Sequence, residues 1–204
     1  MDHPATHTYE LTNEQRRYFG LRLVGEGWEK LQLSPGIFVY FDQDDIVKVF
    51  DYGWGYQEYD TAIKTINREV LLPQTDRGKP QKLTAPRVLK IKGSGIQFSG
   101  SFNGGNIHVY DIKRKVFFIK SFVEDGNMRS YTDIDLWVKK YIASVPADYF
   151  NWLNNQLTQK KLQVKIQAGD IIAFQLSRHR IWIRQDSFQC VRRYQKRHAR
   201  QWPL

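Results

Sequence analysis

Ile37-Phe38-Val39-Tyr40-Phe41, Asp42-Gln43-Asp44-Asp45, Ile46-Val47-Lys48-Val49-Phe50: two β-branched and aromatic runs flank a polar link. Such runs suit a pleated surface covered on both sides, and the pair reads as a β-hairpin with a four-residue loop at Asp42–Asp45. Further along, Ile96 to Phe102 alternates apolar and polar residues, as a strand with one wet face does. Asn103-Gly104-Gly105-Asn106 turns the chain, and Ile107–Ile112 and Val116–Phe122 follow around the basic turn Lys113-Arg114-Lys115. The expectation is an antiparallel meander.

Helical signals stand on either side of these strands. Thr12 and Gln15 have capping-box spacing, Glu14 adds first-turn negative charge, and Gly20 is a natural stop, so a short helix should turn Tyr18 and Phe19 to the core. After Thr132, Ile134, Trp137, Val138, Tyr141 and Ile142 form one apolar stripe. Pro146 suits the opening turn of a second helix, in which Phe150, Leu153 and Leu157 line the apolar side. Strands return at Val164-Lys165-Ile166, Ile171–Leu176 and Ile181-Trp182-Ile183. Strands, then helices, then strands predict an α+β fold: a mainly antiparallel sheet, a short N-terminal helix and a helical pair near residues 133–160. The chain is expected to form a single domain over residues 1–204, with a possible weak subdivision near 123–132.

Three stretches read less regularly. Asp51–Asp60, rich in glycine and aromatics, fits neither period and reads as a loop or irregular edge. Residues 61–72 suit a helix or a strand, with Pro73 ending either. Asp76 to Lys82 has no apolar side chain and carries Gly and Pro, as an exposed loop does.

The 204 residues carry a formal charge of +10, yet no His, Cys, Asp or Glu cluster has a spacing that catalysis or metal binding would recognise. His3 and His7 flank Pro4 and lack a third ligand; Asp42, Asp44 and Asp45 lack the distal Glu of a calcium loop; a nuclease group of Asp60, Glu69 and Lys64 rests on sequence proximity alone. Cys190 excludes an internal disulfide framework. A non-catalytic binding protein without cofactor or metal is expected, and its positive charge points to an acidic partner, either a protein face or a polyphosphate. Arg77, Lys79 and Lys82 in the central loop, Trp54 and Tyr56 among the aromatics, and Arg192, Arg193 and Arg197 in the tail are the candidate partner-binding residues. If exposed, Tyr52, Trp54, Tyr56 and Tyr59 would offer rings on which bases stack, which keeps nucleic acid open as the alternative partner. Met1 to His7 lacks a basic leader and an apolar stretch, and no run approaches the roughly 18–20 apolar residues of a membrane span, so a cytoplasmic location is expected.

Leu11-Thr12-Asn13-Glu14-Gln15-Arg16-Arg17-Tyr18-Phe19-Gly20-Leu21, followed by Trp28 and the Tyr40–Phe50 hairpin, resembles the opening of bacterial immunity-type proteins associated with polymorphic toxin systems. Leu72-Pro73-Gln74-Thr75 through Lys82-Leu83-Thr84 is similar to their central basic connection, and Gly169-Asp170-Ile171-Ile172-Ala173-Phe174 to their later Gly-Asp strand. These patches cover about a third of the chain, and Arg178 to Arg184 departs from the glycine-rich ending of that pattern. The resemblance implies an inhibitor that binds a toxin and blocks its active surface without chemistry of its own. A nuclease toxin, basic because its substrate is anionic, would suit a +10 inhibitor poorly.

Overall fold

The computed structural model describes residues 9–122, 128–158, 171–177 and 180–185. The chain divides into two compact units, Met1–Gln159 and Lys160–Leu204.

In the first unit, α1 (Asn13–Phe19) opens on a complete capping box between Thr12 and Gln15 and closes at Gly20, whose φ of 68° is the left-handed conformation a helix stop requires. β1 (Glu29–Ser34), β2 (Ile37–Asp42), β3 (Asp45–Asp51) and β4 (Gly55–Ile63) follow as a meander. The β2–β3 loop is tighter than expected. Asp42 pairs with Asp45, leaving Gln43 and Asp44 as a two-residue turn with Gln43 at φ 56°.

The larger departure is β4. Asp51–Asp60 does not form a loop or an edge: Gly55 onward is a strand inside the sheet, paired with β3 on one side and with β8 (Ile96–Ser101) on the other. Its residues are buried from both faces, so no alternation marks it. Gly55 itself, at φ 143°, lies where an added Cβ would come within 2.1 Å of the Gly100 carbonyl oxygen. Residues 61–72 resolve as extended chain: β5 (Thr65–Ile66) and β6 (Val70–Leu71) pair around Asn67 and Arg68, both at positive φ, and β7 (Gln81–Lys82) joins β6. α2 (Ala85–Lys90) leads to β8, and β9 (Asn106–Asp111) and β10 (Val116–Phe122) complete a seven-stranded antiparallel sheet ordered β1-β2-β3-β4-β8-β9-β10.

α3 (Tyr131–Ala143) opens on a second capping box, Ser130 with Asp133, and its predicted stripe is the face it packs: Ile134 and Val138 are fully buried, with Trp137, Tyr141 and Ile142 beside them. α4 (Tyr149–Thr158) starts three residues after Pro146 and buries Tyr149 and Leu153; Phe150 is 46% exposed, its ring 5.0 Å from Tyr18. Phe19 lies against Phe98, Trp137 and Tyr141, so α1 bridges the sheet and α3.

One face of the sheet, the inner face, carries Phe38, Phe50, Tyr56, Phe98, Ile107, Val109 and Ile119 against these helices. On the outer face Val39, Phe41, Ile46, Val49, Tyr59 and Ile63 form a second core with Leu71 and Val88, from the small sheet and α2. Among the described residues that second core is built on β2 to β4, with Ile112, just past β9, packed against its edge.

In the second unit, β11 (Ile171–Ser177) and β12 (Arg180–Gln185) form an antiparallel hairpin in which Phe174 pairs with Trp182. The strand expected at Val164-Lys165-Ile166 lies outside the described residues.

Candidate binding surfaces

Ionisable groups do converge in this protein, but in the interior. The inner-face positions Lys48 of β3 and Glu58 and Asp60 of β4 meet Arg16 of α1. Lys48 Nζ donates to Glu58 Oε1 at 2.7 Å and to Asp60 Oδ1 at 2.6 Å, and Arg16 Nε donates to Glu58 Oε1 at 2.7 Å. The Tyr56 hydroxyl donates to the other Glu58 oxygen and accepts from the Leu11 amide, while the Arg22 amide donates to Asp60. Arg16 also reaches Glu10, which pairs with Lys30 and accepts from Tyr40. Lys48 and Glu58 are fully buried, and unpaired charge there would cost several kcal/mol per ion.

Electrostatics inside the cluster follow partner number. Burial works to raise the Glu58 carboxyl, but Lys48 and Arg16 together hold it below its ordinary value. Asp60 is shifted the other way: burial outweighs its pairing with Lys48 and it sits above its ordinary value. Burial and Glu58 push the Tyr56 hydroxyl far up, and burial and Glu10 push Tyr40 up to about 12. Every oxygen of Glu58 and Asp60 is thus engaged by protein donors. The cluster locks the N-terminal segment onto the sheet.

The residues picked from sequence separate accordingly. Tyr56 is 1% exposed and Tyr52 and Tyr59 are also buried, so none offers a ring to a partner; only Trp54 stands out, 82% exposed on the β3–β4 turn. The error has a physical source, since glycine spacing around aromatics is as compatible with two-sided burial as with a loop. Arg77, Lys79 and Lys82 are exposed, with Lys82 held in β7 opposite Val70. Asp60, Glu69 and Lys64 do not assemble: Asp60 is buried with Lys48, Glu69 is exposed, and Lys64 pairs with Asp45. Arg192, Arg193, Arg197, Cys190, His3 and His7 lie outside the described residues. Among the described residues no group of three or more His, Cys, Asp or Glu could hold a metal ion, and no helix is long and apolar enough to cross a membrane.

Sequence reasoning missed the outer face of β8–β10. Two cross-strand rows run across the sheet there. In one, Asp51, Gln57, Ser99, His108 and Lys120 are successive partners. In the other, Val49, Tyr59, Gln97, Tyr110 and Phe117 are. Phe117 is 52% exposed and carries the Tyr110 ring at 4.6 Å, the His108 ring at 5.3 Å and Lys120 Nζ at 5.9 Å. Burial, helped by Lys120, holds His108 below the usual imidazole value, so the middle of this surface is uncharged at neutral pH. A shallow depression at its other end is lined by Asp51, Trp54, Gln57, Ser99 and Ser101. The alternation Gln97-Phe98-Ser99 and Ile107-His108-Val109-Tyr110 was the available signal, but it marks a wet face without saying what the face is for.

Charge is divided unevenly between the units. Residues 1–159 hold 20 Lys and Arg against 19 Asp and Glu, and residues 160–204 hold 11 against two. No protein-family model matches the chain, and neither the curated proteins nor the solved structures offer a match.

Proposed function

We propose that the chain is a non-catalytic cytoplasmic binding protein, an immunity-like inhibitor that occludes the working surface of an acidic partner protein, such as a toxin. The observation that carries this reading is the segregation of its ionisable groups. Arg16, Lys48, Glu58 and Asp60 are consumed by one another inside the core, while Arg77, Lys79, Lys82 and the exposed Trp54 face outward. A rigid antiparallel sheet supports inhibition by shape, because an inhibitor that needs no rearrangement loses little entropy on binding. Cations at its margin favour encounter with an acidic surface.

The test is stoichiometric inhibition of the protein encoded beside this gene, with charge reversal at Lys79 and Lys82 weakening association while the melting temperature holds. Turnover of a phosphoester or peptide by the purified chain, abolished by one substitution, would refute it.

A nucleic-acid or polyphosphate partner is the second reading, and the 11 Lys and Arg against two Asp and Glu of residues 160–204 favour it. Binding of single-stranded or duplex nucleic acid that weakens steeply over a salt series supports this alternative; salt-insensitive failure to bind removes it.

A further inference from the structure

We propose that the partner protein docks on the outer face of β8, β9 and β10 and of the first residues of β4, between Trp54 and Phe117, and that it presents apolar side chains to these two aromatics and carboxylates to the exposed Lys113 and Lys115. This placement rests on the inhibitor reading and names the surface through which it acts.

The composition of the face selects a protein. Its middle holds neutral hydrogen-bonding side chains, Gln57, Gln97, Ser99 and His108, with Tyr110 among them. Large aromatics stand at the two ends, Trp54 82% and Phe117 52% exposed. Depletion of charge and large exposed aromatics are features that protein interfaces share, and Trp carries a disproportionate share of their binding energy; the neutral side chains between Trp54 and Phe117 can hydrogen-bond to a partner backbone.

The charges are also placed in a way that suits a protein better than a polyphosphate. Along one cross-strand row Asp51 occupies one end and Lys120 the other. Lys113 and Lys115 are exposed on the β9–β10 turn, and Gly93–Gly95 run alongside Ile112, which brings the exposed Lys92 to the same margin. Cations therefore border one side, and a carboxylate stands at the opposite end. A nucleic-acid strand crossing this face would leave the cations behind and meet Asp51, whereas backbone-tracking grooves carry positive charge along their length. The anchors sit on a backbone that holds them in place. The Phe102 amide donates to the Trp54 carbonyl, and Phe117 is fixed between Tyr110 and His108.

The experiment uses the full-length chain, labelled for amide NMR, with two probes: a peptide of glutamates around a central phenylalanine, and a single-stranded oligothymidylate. The peptide is expected to shift amides of β8, β9 and β10, and Phe117→Ala and Trp54→Ala each to weaken it about ten-fold with unchanged melting temperature. Peptide shifts confined to residues 76–92 or 160–204, or equal affinity for the variants, would overturn the assignment, as would stronger shifts of the same amides by the oligothymidylate. The same variants in the inhibition assay separate the two claims. If they inhibit the target as tightly as the wild type, this surface is wrong and the inhibitor reading stands. If the wild type inhibits nothing, that reading falls, and the peptide titration still decides whether this face binds acidic protein chemistry.

Discussion

The outer face of the seven-stranded sheet is treated differently in its two halves. Over β2–β4 it is sealed by the β5–β7 sheet and α2, and Val49 and Tyr59 are buried. Two strands along the same row, Tyr110 is partly open and Phe117 half exposed. The row changes from core to surface without leaving the sheet. Aromatic residues occur on both sides of that change, so aromatic content does not distinguish a packing surface from a presenting one.

The inner face shows a third arrangement, charge in place of apolar packing, and there the largest effect is expected. Glu58→Ala should cost about 3–5 kcal/mol, because it strips the shared counter-charge from Arg16 and Lys48. Urea denaturation measures it, and a loss below 1 kcal/mol would show that Glu10 and Asp60 suffice for the two cations.

Ile63→Ala, in the sealed half, should cost about 2–5 kcal/mol. Phe117→Ala, in the open half, should stay within about 0.5 kcal/mol of wild type. Equal losses would mean that the open half is structural and would remove it as a binding surface.

Acid should act through the inner cluster. The Glu58 carboxyl is held below 4.5 in the folded chain, so its stabilising contribution is complete above pH 4.5 and is lost as pH falls through that lowered value. Asp60, raised above 3.8, contributes in the opposite sense, its share diminishing as pH rises from 3.8 to its folded value. Melting temperatures taken at stepwise lower pH should fall where Glu58 protonates, and wild type should be more acid-sensitive there than Glu58→Gln.

The smallest effect is local. His108 should titrate below 6.5 by NMR, and Lys120→Gln should move the midpoint upward without restoring it fully, because burial is the larger cause. No movement would separate Lys120 electrically from the face.

Local interactions could be read from residues 9–158 because they act over a few positions. The capping boxes at Thr12 and Ser130, the stop at Gly20, the α3 stripe and the β8–β10 meander all follow from hydrogen bonds and periodicities within one element or one turn. Phe150 departs from its predicted stripe because Tyr149, one position away, fills the interior and sends its hydroxyl to the Tyr18 carbonyl.

β4 was unreadable for the opposite reason. Glu58 and Asp60 look like solvent-facing residues until Arg16, 42 positions before Glu58, and Lys48 are folded beside them. Tyr56 reads as a binding residue until its hydroxyl is given to Glu58.

An α+β chain with a largely antiparallel sheet, capped helices and an excess of positive charge follows from the order of residues alone. Which charges neutralise one another, and which half of the outer face is uncovered among the described residues, came from the fold. Those outcomes depend on pairing between strands distant in sequence, β4 with β8 above all, and no local period carries that information.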